Sequence, residues 1–193
     1  VAKSKGPWKA VSGYFGQLYS GRGVEIIEKM AKIRPDVLFL VFGGSSKDTN
    51  FRRKKNHRQQ NLCFLGHIDH PSCQAIMRCV DVLLMPYQNQ VSIGIKGHDT
   101  ARWMSPMKMF EYMASGVPLI SSDLPVLREV LINEYNSLLV PPEDYEEWVL
   151  ALSRLIDDKN LSDSIGKQAH TDYKSMYTWE KRADSLIRIL KSF

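Results

Sequence analysis

The residues best suited to chemistry in this sequence lie between Ser105 and Glu111. Ser105 is a favourable N-cap and Pro106 a favourable first residue of a helix, so the backbone amides of Met107 and Lys108 would be left free at the positive end of the helix dipole. Such an end binds phosphate, and the Lys108 side chain would add a cation. Glu111 would lie on the same face, about 6 Å further along the axis. The segment predicts a nucleotide site, in which this carboxylate accepts hydrogen bonds from the ribose hydroxyls. A glutamate in a first turn also stabilises any helix.

A glycine-rich loop from Gly13 to Gly23 is a second candidate for anion binding. It contains Gly16, Gln17 and Arg22, and it lies between a strand pattern and a helix pattern. Its glycines do not follow the G-x-G-x-x-G spacing, and such loops are often simple turns. A cation at the start of a helix is unfavourable. Arg22 therefore makes better sense if an anion lies between it and the helix.

Other polar clusters give weaker signals. His67 and His70 resemble a metal pair, but no third ligand follows at a suitable spacing, so we interpret them as loop histidines. The three cysteines have no metal-site spacing, which favours a reducing compartment without metal binding. The basic run Arg52–Lys55 is a solvated loop or helix face, or else a patch for anionic lipid head groups or a phosphorylated substrate. Nucleic acid is disfavoured because no aromatic residues interleave with the basic ones.

The long segment Tyr87–Met104 has no clear periodicity and lies directly before the predicted phosphate site. Loops of this length in a compact domain are functional or disordered. It carries His98, Asp99 and Trp103. The segment is a lid over a bound sugar or a surface excursion, and the sequence leaves both possibilities open.

Short apolar strands alternate with amphipathic helices along the chain, which predicts an α/β fold with a Rossmann-like parallel sheet of about six strands and helices on both faces. Ligands of such folds bind at the carboxyl ends of the strands, where strand order reverses. The predicted strands are Ala10–Phe15, Val37–Phe42, Asn61–Leu65, Val80–Met85, Val117–Ser121 and Ser137–Val140. The predicted helices follow Val24 and Ser105, cover Ser72–Arg78, and fill most of the chain after Val140.

The 193 residues, 44% of them hydrophobic and 24% charged, suit one globular domain. There is no apolar run of about 18 residues, so we expect no membrane-spanning helix. The chain starts at Val1 without a methionine or a signal-peptide core, and we expect it to be a piece of a longer protein.

The segment Ser105–Asp123, S-P-M-K-M-F-E-Y-M-A-S-G-V-P-L-I-S-S-D, resembles the signature stretch of family 4 glycosyltransferases of the GT-B fold. Phe15–Gly23 resembles the diphosphate loop of that family, Asn61–Met85 its middle strands and helix, and Tyr177–Arg182 its closing helix. The resemblance implies that residues 1–193 form a single donor-binding domain with a C-terminal helix at about 178–191. It also implies that the amino-terminal, acceptor-binding domain is absent from this chain.

The resemblance assigns roles by position. Glu111 matches the second glutamate of the E-x7-E motif, which holds the donor ribose, and His67 and Ile68 lie where the nucleobase is contacted. Arg22 and Lys108 match groups that bind the diphosphate, and we expect them to act in catalysis by stabilising it as it leaves. The donor-binding residues implied in this way are Gly16, Gln17, Arg22, His67, Ile68, Ser105, Met107, Lys108 and Glu111.

Two positions depart from the family pattern. Trp103 replaces the first glutamate of E-x7-E, so contacts with the transferred sugar would come from Asp99 or the Ser105–Lys108 turn. A subgroup with an S-P-x-K-x-x-E-Y-M-A stretch also lacks that glutamate. Gln17 replaces a usual arginine, and Lys108 could compensate for the missing charge.

The resemblance implies a retaining transfer from a UDP- or GDP-sugar to an acceptor glycan, lipid or small molecule, without a metal or other cofactor. We expect a cytoplasmic protein that can contact the membrane surface peripherally. The isolated chain should bind its donor weakly and transfer nothing. Two alternatives stay open: a degenerate, non-catalytic domain that binds a partner, and half of a nucleotide-sugar epimerase, which would need no acceptor.

Overall fold

A computed structural model describes residues 6–91, 103 and 107–191 of the chain. These residues form a six-stranded parallel sheet with the strand order β3-β2-β1-β4-β5-β6. The strands are β1 Ala10–Phe15, β2 Val37–Phe42, β3 Leu62–Gly66, β4 Val82–Met85, β5 Leu119–Ser122 and β6 Leu138–Val140. The helices are α1 Val24–Ile33, α2 Ser46–Lys55, α3 His70–Met77, α4 Met107–Ser115, α5 Tyr145–Asp157, α6 Lys159–Asp172 and α7 Trp179–Lys191, with a π-helical turn at Tyr173–Tyr177 before α7.

Apolar side chains cover both faces of the sheet, which confirms the predicted fold class. On one face, Ile27 of α1 and Trp148 of α5 are among the buried residues. On the other face, Met109 and Met113 of α4 pack with the residues of the β4 and β5 strands. A parallel sheet needs helices on both faces because its connections cross over the sheet. In the residues that the structure describes, none of the helices is long and apolar enough to span a bilayer.

Helix α2 was not among the predicted elements, because its sequence has no apolar stripe. It begins at an N-cap, Ser45, whose side chain accepts a hydrogen bond from the amide of Asp48. Such a cap satisfies an amide that the helix itself cannot pair. Thr49 and Arg52 are buried, so polar side chains dock this helix.

The basic run Arg52–Lys55 forms the last turn of α2, where Arg53, Lys54 and Lys55 are exposed, as expected of a solvated helix face, and Arg52 is buried. Arg52 is 9% exposed and donates hydrogen bonds to Glu25 and Glu28 of α1 at 2.5 and 2.9 Å. Lys55 bonds the same Glu28 at 2.6 Å. Although burial raises the pKa of Glu28, the hydrogen bonds from Lys55, its neighbour Asn56 and Arg52 bring that pKa below the usual value. The run therefore fastens α2 to α1.

The strand order reverses between the neighbouring strands β1 and β4, and the loops that follow these two strands meet. The amide of Gln88 donates to the carbonyl of Gly21 at 2.9 Å. A Cβ atom at Gly21 would lie 1.9 Å from the Gln90 carbonyl oxygen, and one at Gly23 would lie 1.6 Å from that of Pro86. Both glycines also have positive φ, which side chains disfavour. They allow the first loop to pack against the segment after β4, and Gly23 serves as the N-cap of α1.

Candidate functional site

A cleft of about 360 Å³ opens at the carboxyl ends of β1, β2 and β3, facing the first turn of α4. This is the place where ligands bind in open parallel sheets. Every predicted donor-binding residue that the structure describes lines the cleft: Gly16, Gln17, Arg22, His67, Ile68, Met107, Lys108 and Glu111. Ser105 lies outside the described residues.

Lys108 lies in the first turn of α4, and its Nζ atom is held between two tyrosine rings. Nζ is 4.1 Å from the centroid of the Tyr14 ring and 4.6 Å from that of the Tyr87 ring, and both tyrosines are buried. A Cβ atom on Gly16 would come within 2.9 Å of Nζ, so the amine rests against the glycine backbone. Burial, followed by the charge of Arg22, lowers the pKa of Lys108 well below the usual value, while Glu111 acts in the opposite direction.

Arg22 shares the Tyr87 ring with Lys108. Its Cζ atom lies 5.1 Å from the ring centroid, and Nη1 donates a 2.9 Å hydrogen bond to the Tyr87 hydroxyl. Its Nε atom is buried and has no hydrogen-bond partner within the described part of the chain. A buried donor without a partner is costly unless a ligand satisfies it. Arg22 therefore has spare capacity to bind an anion.

A ring of aromatic contacts fixes the backbone at the end of β1. The Tyr14 hydroxyl donates to the Gln17 carbonyl at 2.6 Å. On the other side, the Tyr112 hydroxyl of α4 accepts from the Phe15 amide at 2.8 Å. Phe15 also stacks on Phe42 of β2, with centroids 4.8 Å apart and an interplanar angle of 6°. These contacts join the first loop to α4, so the walls of the cleft are positioned relative to each other without a ligand.

Glu111 lies one turn after Lys108 on α4 and contacts α3. One of its carboxylate oxygens is 3.1 Å from Nε2 of His70. His70 is the first residue of α3 rather than part of a loop, which corrects the prediction from the sequence. The Asp69 side chain caps this helix by accepting from the Ser72 amide at 2.9 Å. The contact with His70 leaves the second carboxylate oxygen of Glu111 available to a ligand.

Cys73 of α3 also faces the cleft. Burial, with smaller effects of Glu111 and Asp69, raises the pKa of its thiol to about 11. The thiol is therefore protonated at neutral pH, and protonated thiols are poor nucleophiles. Within the described ranges, no group of three or more histidine, cysteine, aspartate or glutamate residues is arranged to hold a metal ion.

Two buried aromatic residues of the cleft, Tyr14 and Tyr87, were not among the predicted site residues. The sequence analysis placed Tyr87 in the aperiodic segment after β4. Residues 92–102 of that segment, His98 and Asp99 among them, lie outside the described ranges. The signal that could have found both tyrosines is their position, since each lies at the carboxyl end of a strand beside the point where strand order reverses. Trp103 is described and is 86% exposed.

A larger groove of about 670 Å³ adjoins the cleft on the far side of Glu111. It runs between α4 and the C-terminal segment, where Phe110 packs on Tyr177 with ring centroids 5.4 Å apart. The groove shares Met107 and Glu111 with the cleft, but Arg22 and Lys108 line the cleft alone. We therefore assign anion binding to the smaller cleft.

Comparison with known proteins agrees with this geometry. A family described as "Glycosyl transferases group 1" matches residues 9–158. The chain is 26% identical, over 166 residues, to a phosphatidyl-myo-inositol mannosyltransferase of Mycolicibacterium smegmatis, covering 86% of this chain and 39% of that protein. The chain thus spans about two fifths of the length of this curated relative.

Two solved structures share the fold. Anabaena HepE in complex with UDP-glucose superimposes with a TM-score of 0.77 at 18% identity, covering 95% of this chain and 49% of that one. The C-terminal domain of LpcC, a group 1 family glycosyl transferase from Francisella tularensis, gives a TM-score of 0.69 at 20% identity, covering 90% of this chain and 88% of that domain. The family match covers most of the chain, and the chain therefore belongs to the group 1 glycosyl transferases, as a C-terminal domain of the GT-B fold.

Proposed function

We propose that this domain binds the donor of a retaining, metal-independent glycosyl transfer, and that the donor is a UDP- or GDP-sugar. The observation that carries the proposal is the pair of cations on one ring: Lys108 and Arg22 both contact Tyr87 at the carboxyl edge of the sheet. Among the described residues, neither cation forms an ion pair with a carboxylate. Two side-chain cations match the two negative charges of a diphosphate diester.

The remaining parts of the donor follow from the position of the diphosphate. The first amides of a helix have no partner within it, and Met107 and Lys108 of the first turn of α4 line the cleft. Glu111, one turn further, would accept hydrogen bonds from the ribose, and His67 and Ile68, after β3, would contact the base. HepE, which has the same fold, has been solved with UDP-glucose, and this supports a nucleotide sugar as the ligand.

The chemical role of Lys108 and Arg22 would be electrostatic. As the bond from the sugar to the diphosphate breaks, negative charge grows on the leaving group, and fixed cations stabilise it more in the transition state than in the ground state. A positioned cation of this kind typically contributes about 100-fold or more to the rate. We expect the group that activates the acceptor to belong to another domain, since the relative that the chain matches is much longer. The isolated chain would then bind donor and transfer nothing.

The proposal includes an acceptor class and a cellular location. We propose an acceptor glycan, lipid-linked acceptor or small molecule, as in the mannosyltransferase relative, whose acceptor is phosphatidyl-myo-inositol by name. The three cysteines are free, which suits a cytoplasmic location. The basic run could contribute little to a peripheral membrane contact, because Arg52 and Lys55 are engaged with α1.

Calorimetric titration of the chain with UDP, GDP, UDP-glucose and GDP-mannose tests the donor site. We expect one nucleotide class to bind, and Glu111→Gln to weaken that binding by about 10-fold or more, because a hydrogen bond to a charged acceptor contributes about 1.5–3 kcal/mol. Glu129→Gln is a matched control, since Glu129 is exposed and outside the cleft. The proposal is wrong if no nucleotide binds, or if Glu111→Gln binds as tightly as the control.

A non-catalytic binding module is the second candidate, and exposed Trp103 favours it because a glutamate usually occupies this position. The two candidates differ in the activity of the protein extended to the length of its relatives. Product formation that is lost in Lys108→Ala would eliminate the non-catalytic candidate. Nucleotide binding without any product, across acceptors of the three proposed classes, would support it.

A further inference from the structure

Glu111 lies at the border between two concave surfaces, the donor cleft and the larger groove beside it. Glu111 lines both surfaces, whereas His70 lines the groove and not the cleft. The Nε2 atom of His70 is 3.1 Å from one carboxylate oxygen of Glu111. The imidazole therefore holds this carboxylate from the groove side. A carboxylate can accept about four hydrogen bonds, so the contact leaves capacity for a ligand in the cleft.

The backbone that carries His70 is fixed by the start of α3. The side chain of Asp69, the N-cap, accepts hydrogen bonds from the Ser72 amide at 2.9 Å and from the Ser72 hydroxyl at 2.7 Å. These two hydrogen bonds lower the pKa of Asp69, so the capping carboxylate stays charged at neutral pH. Pro71 follows in the first turn and restricts the backbone there. The imidazole is thus attached at a rigid position, although 64% of the side chain is exposed.

The Glu111 side chain depends on this contact for its orientation. In the described part of the chain, His70 provides the one side-chain hydrogen bond that Glu111 receives. A glutamate side chain has several rotatable bonds, and fixing them when a ligand binds reduces affinity because conformational entropy is lost. The contact with His70 fixes them before a ligand arrives. It forms with the neutral Nε2–H tautomer as well as with the charged ring, since both donate from Nε2.

We propose that His70 is a positioning residue of the donor site, which orients the Glu111 carboxylate for the ribose hydroxyls without contacting the donor itself. This inference rests on the proposed function and deepens it, because it assigns a second residue to the recognition of the ribose. The opposite role would be competition between His70 and the ribose for the same carboxylate. Competition predicts that removal of His70 strengthens binding, whereas positioning predicts that it weakens binding.

Ligands without ribose hydroxyls test the inference from the side of the nucleotide. The probes are UDP and GDP with their 2′,3′-dideoxy counterparts, which keep the base and the diphosphate but lack both hydroxyls that Glu111 would bind. For the base that binds, calorimetric titration of His70→Ala should show an affinity for the ribonucleotide that is about 5-fold lower than in the wild type. The affinity for the dideoxy nucleotide should change by less than about 2-fold.

Two variants of α3 control for other effects of the substitution. His70→Gln keeps an N–H donor at a similar distance from the backbone and should restore most of the affinity. Gln74→Ala is the matched control and should bind like the wild type, since Gln74 lies one turn further along α3, is exposed, and lines the groove but not the cleft. Because His70 is exposed, His70→Ala should shift the Tm of the free domain by less than about 2 °C.

A double-mutant cycle tests whether His70 acts through Glu111. In a Glu111→Ala protein the carboxylate is gone, and the further change His70→Ala should alter the affinity for the ribonucleotide by less than about 2-fold. The cycle works equally with UDP-glucose or GDP-mannose as the ligand. A residue that merely supports the fold of α3 would weaken binding in both backgrounds.

The failure of this inference and the failure of the proposed function give different results. If no nucleotide or nucleotide sugar binds to the wild-type chain, the proposed function is wrong and this inference falls with it. If a nucleotide binds and His70→Ala leaves its affinity unchanged or raises it, the inference is wrong and the proposed function stands. An equal loss for the dideoxy nucleotide, or in the Glu111→Ala background, has the same meaning. A loss that needs both the ribose hydroxyls and Glu111, and that His70→Gln restores, supports the inference.

Discussion

Replacing Lys108 by methionine should stabilise the free domain while it weakens donor binding. Methionine has similar length and keeps the contacts of the side chain with the Tyr14 and Tyr87 rings. The exchange loses two cation–π contacts of about 0.5–2 kcal/mol each, and regains sulfur–aromatic contacts of about 0.3–1.5 kcal/mol each. These terms nearly cancel, and what remains is the cost of partly burying an ammonium ion beside Arg22, with no carboxylate paired to it among the described residues.

The net gain should be about 1 kcal/mol, as is common when a functional residue is replaced by one suited to folding alone. For a domain of this size, such a gain raises Tm by about 2–4 °C. Lys108 is partly exposed, which keeps the expected gain well below the full cost of a buried ion. Lys29→Met is the reference for this stability change. Lys29 is exposed, and substitutions of exposed residues usually change the free energy of unfolding by less than about 0.5 kcal/mol.

The stability difference between Lys108→Met and the wild type should change with pH, whereas a difference caused by packing alone would not. The pKa of Lys108 is lowered in the folded state, so between the folded pKa and the unfolded value of about 10.4 the unfolded chain binds more protons. Wild-type stability therefore rises with pH through this window relative to Lys108→Met. The advantage of Lys108→Met should be largest at low pH and should shrink toward about pH 10.

Thermal denaturation followed by circular dichroism, at several pH values and without nucleotide, measures this difference. A Lys108→Met protein that is less stable than the wild type near neutral pH would refute the reasoning. So would a gain in Tm that stays constant from neutral pH to pH values near the ordinary pKa of lysine.

Two further substitutions separate the cleft from the scaffold. Gly16→Ala would place a methyl group 2.9 Å from Nζ of Lys108 and 3.1 Å from the Tyr14 hydroxyl, so we expect donor affinity to fall about 10-fold, and unchanged affinity in calorimetry would contradict this. Arg52→Met would leave Glu28 buried with fewer partners, and should cost about 3 kcal/mol of unfolding free energy while donor affinity stays the same. Lys54→Met is the control for the second change, since Lys54 is exposed, and urea denaturation showing equal stability of both variants would count against the ion-pair network.

The strands of this fold are predictable because each is a short apolar run that a glycine, proline or polar residue ends. The bounds of β1 and β2 agree with the prediction. Both strands consist mainly of apolar residues, as expected for a parallel strand that is buried on both faces. The fourth strand begins at Val82 rather than Val80. Val80 is buried like a strand residue, but Asp81 is tied to Val11 through both its amide and its carboxylate before the ladder begins. Hydrophobicity alone cannot distinguish a buried residue that precedes a strand, such as Val80, from one that lies within it.

Helix α2 and the contacts of the two tyrosines could not be predicted from the sequence, for a different reason. Both depend on partners that are distant in sequence: Arg52 docks on Glu28 of α1, and Tyr87 meets Arg22 and Lys108 from another loop and another helix. Periodicity reports which face of an element is apolar, and it carries no information on polar pairs across elements. The described cationic and acidic residues of the cleft were nevertheless predictable, because α4 fixes the spacing of Lys108 and Glu111.

The contacts around Tyr14 and Lys108 explain how the cleft can have a glutamine at position 17, where the family resemblance leads us to expect an arginine. The Gln17 side chain is exposed at the cleft, while its carbonyl accepts the hydroxyl of Tyr14, whose ring faces Lys108. The position therefore supports the amine through its backbone and adds no permanent charge. With an arginine at position 17, a second fixed cation would lie at the cleft, and the charge facing the diphosphate would depend less on Lys108. In this chain, half of the side-chain charge that Arg22 and Lys108 offer to a donor comes from a titratable amine.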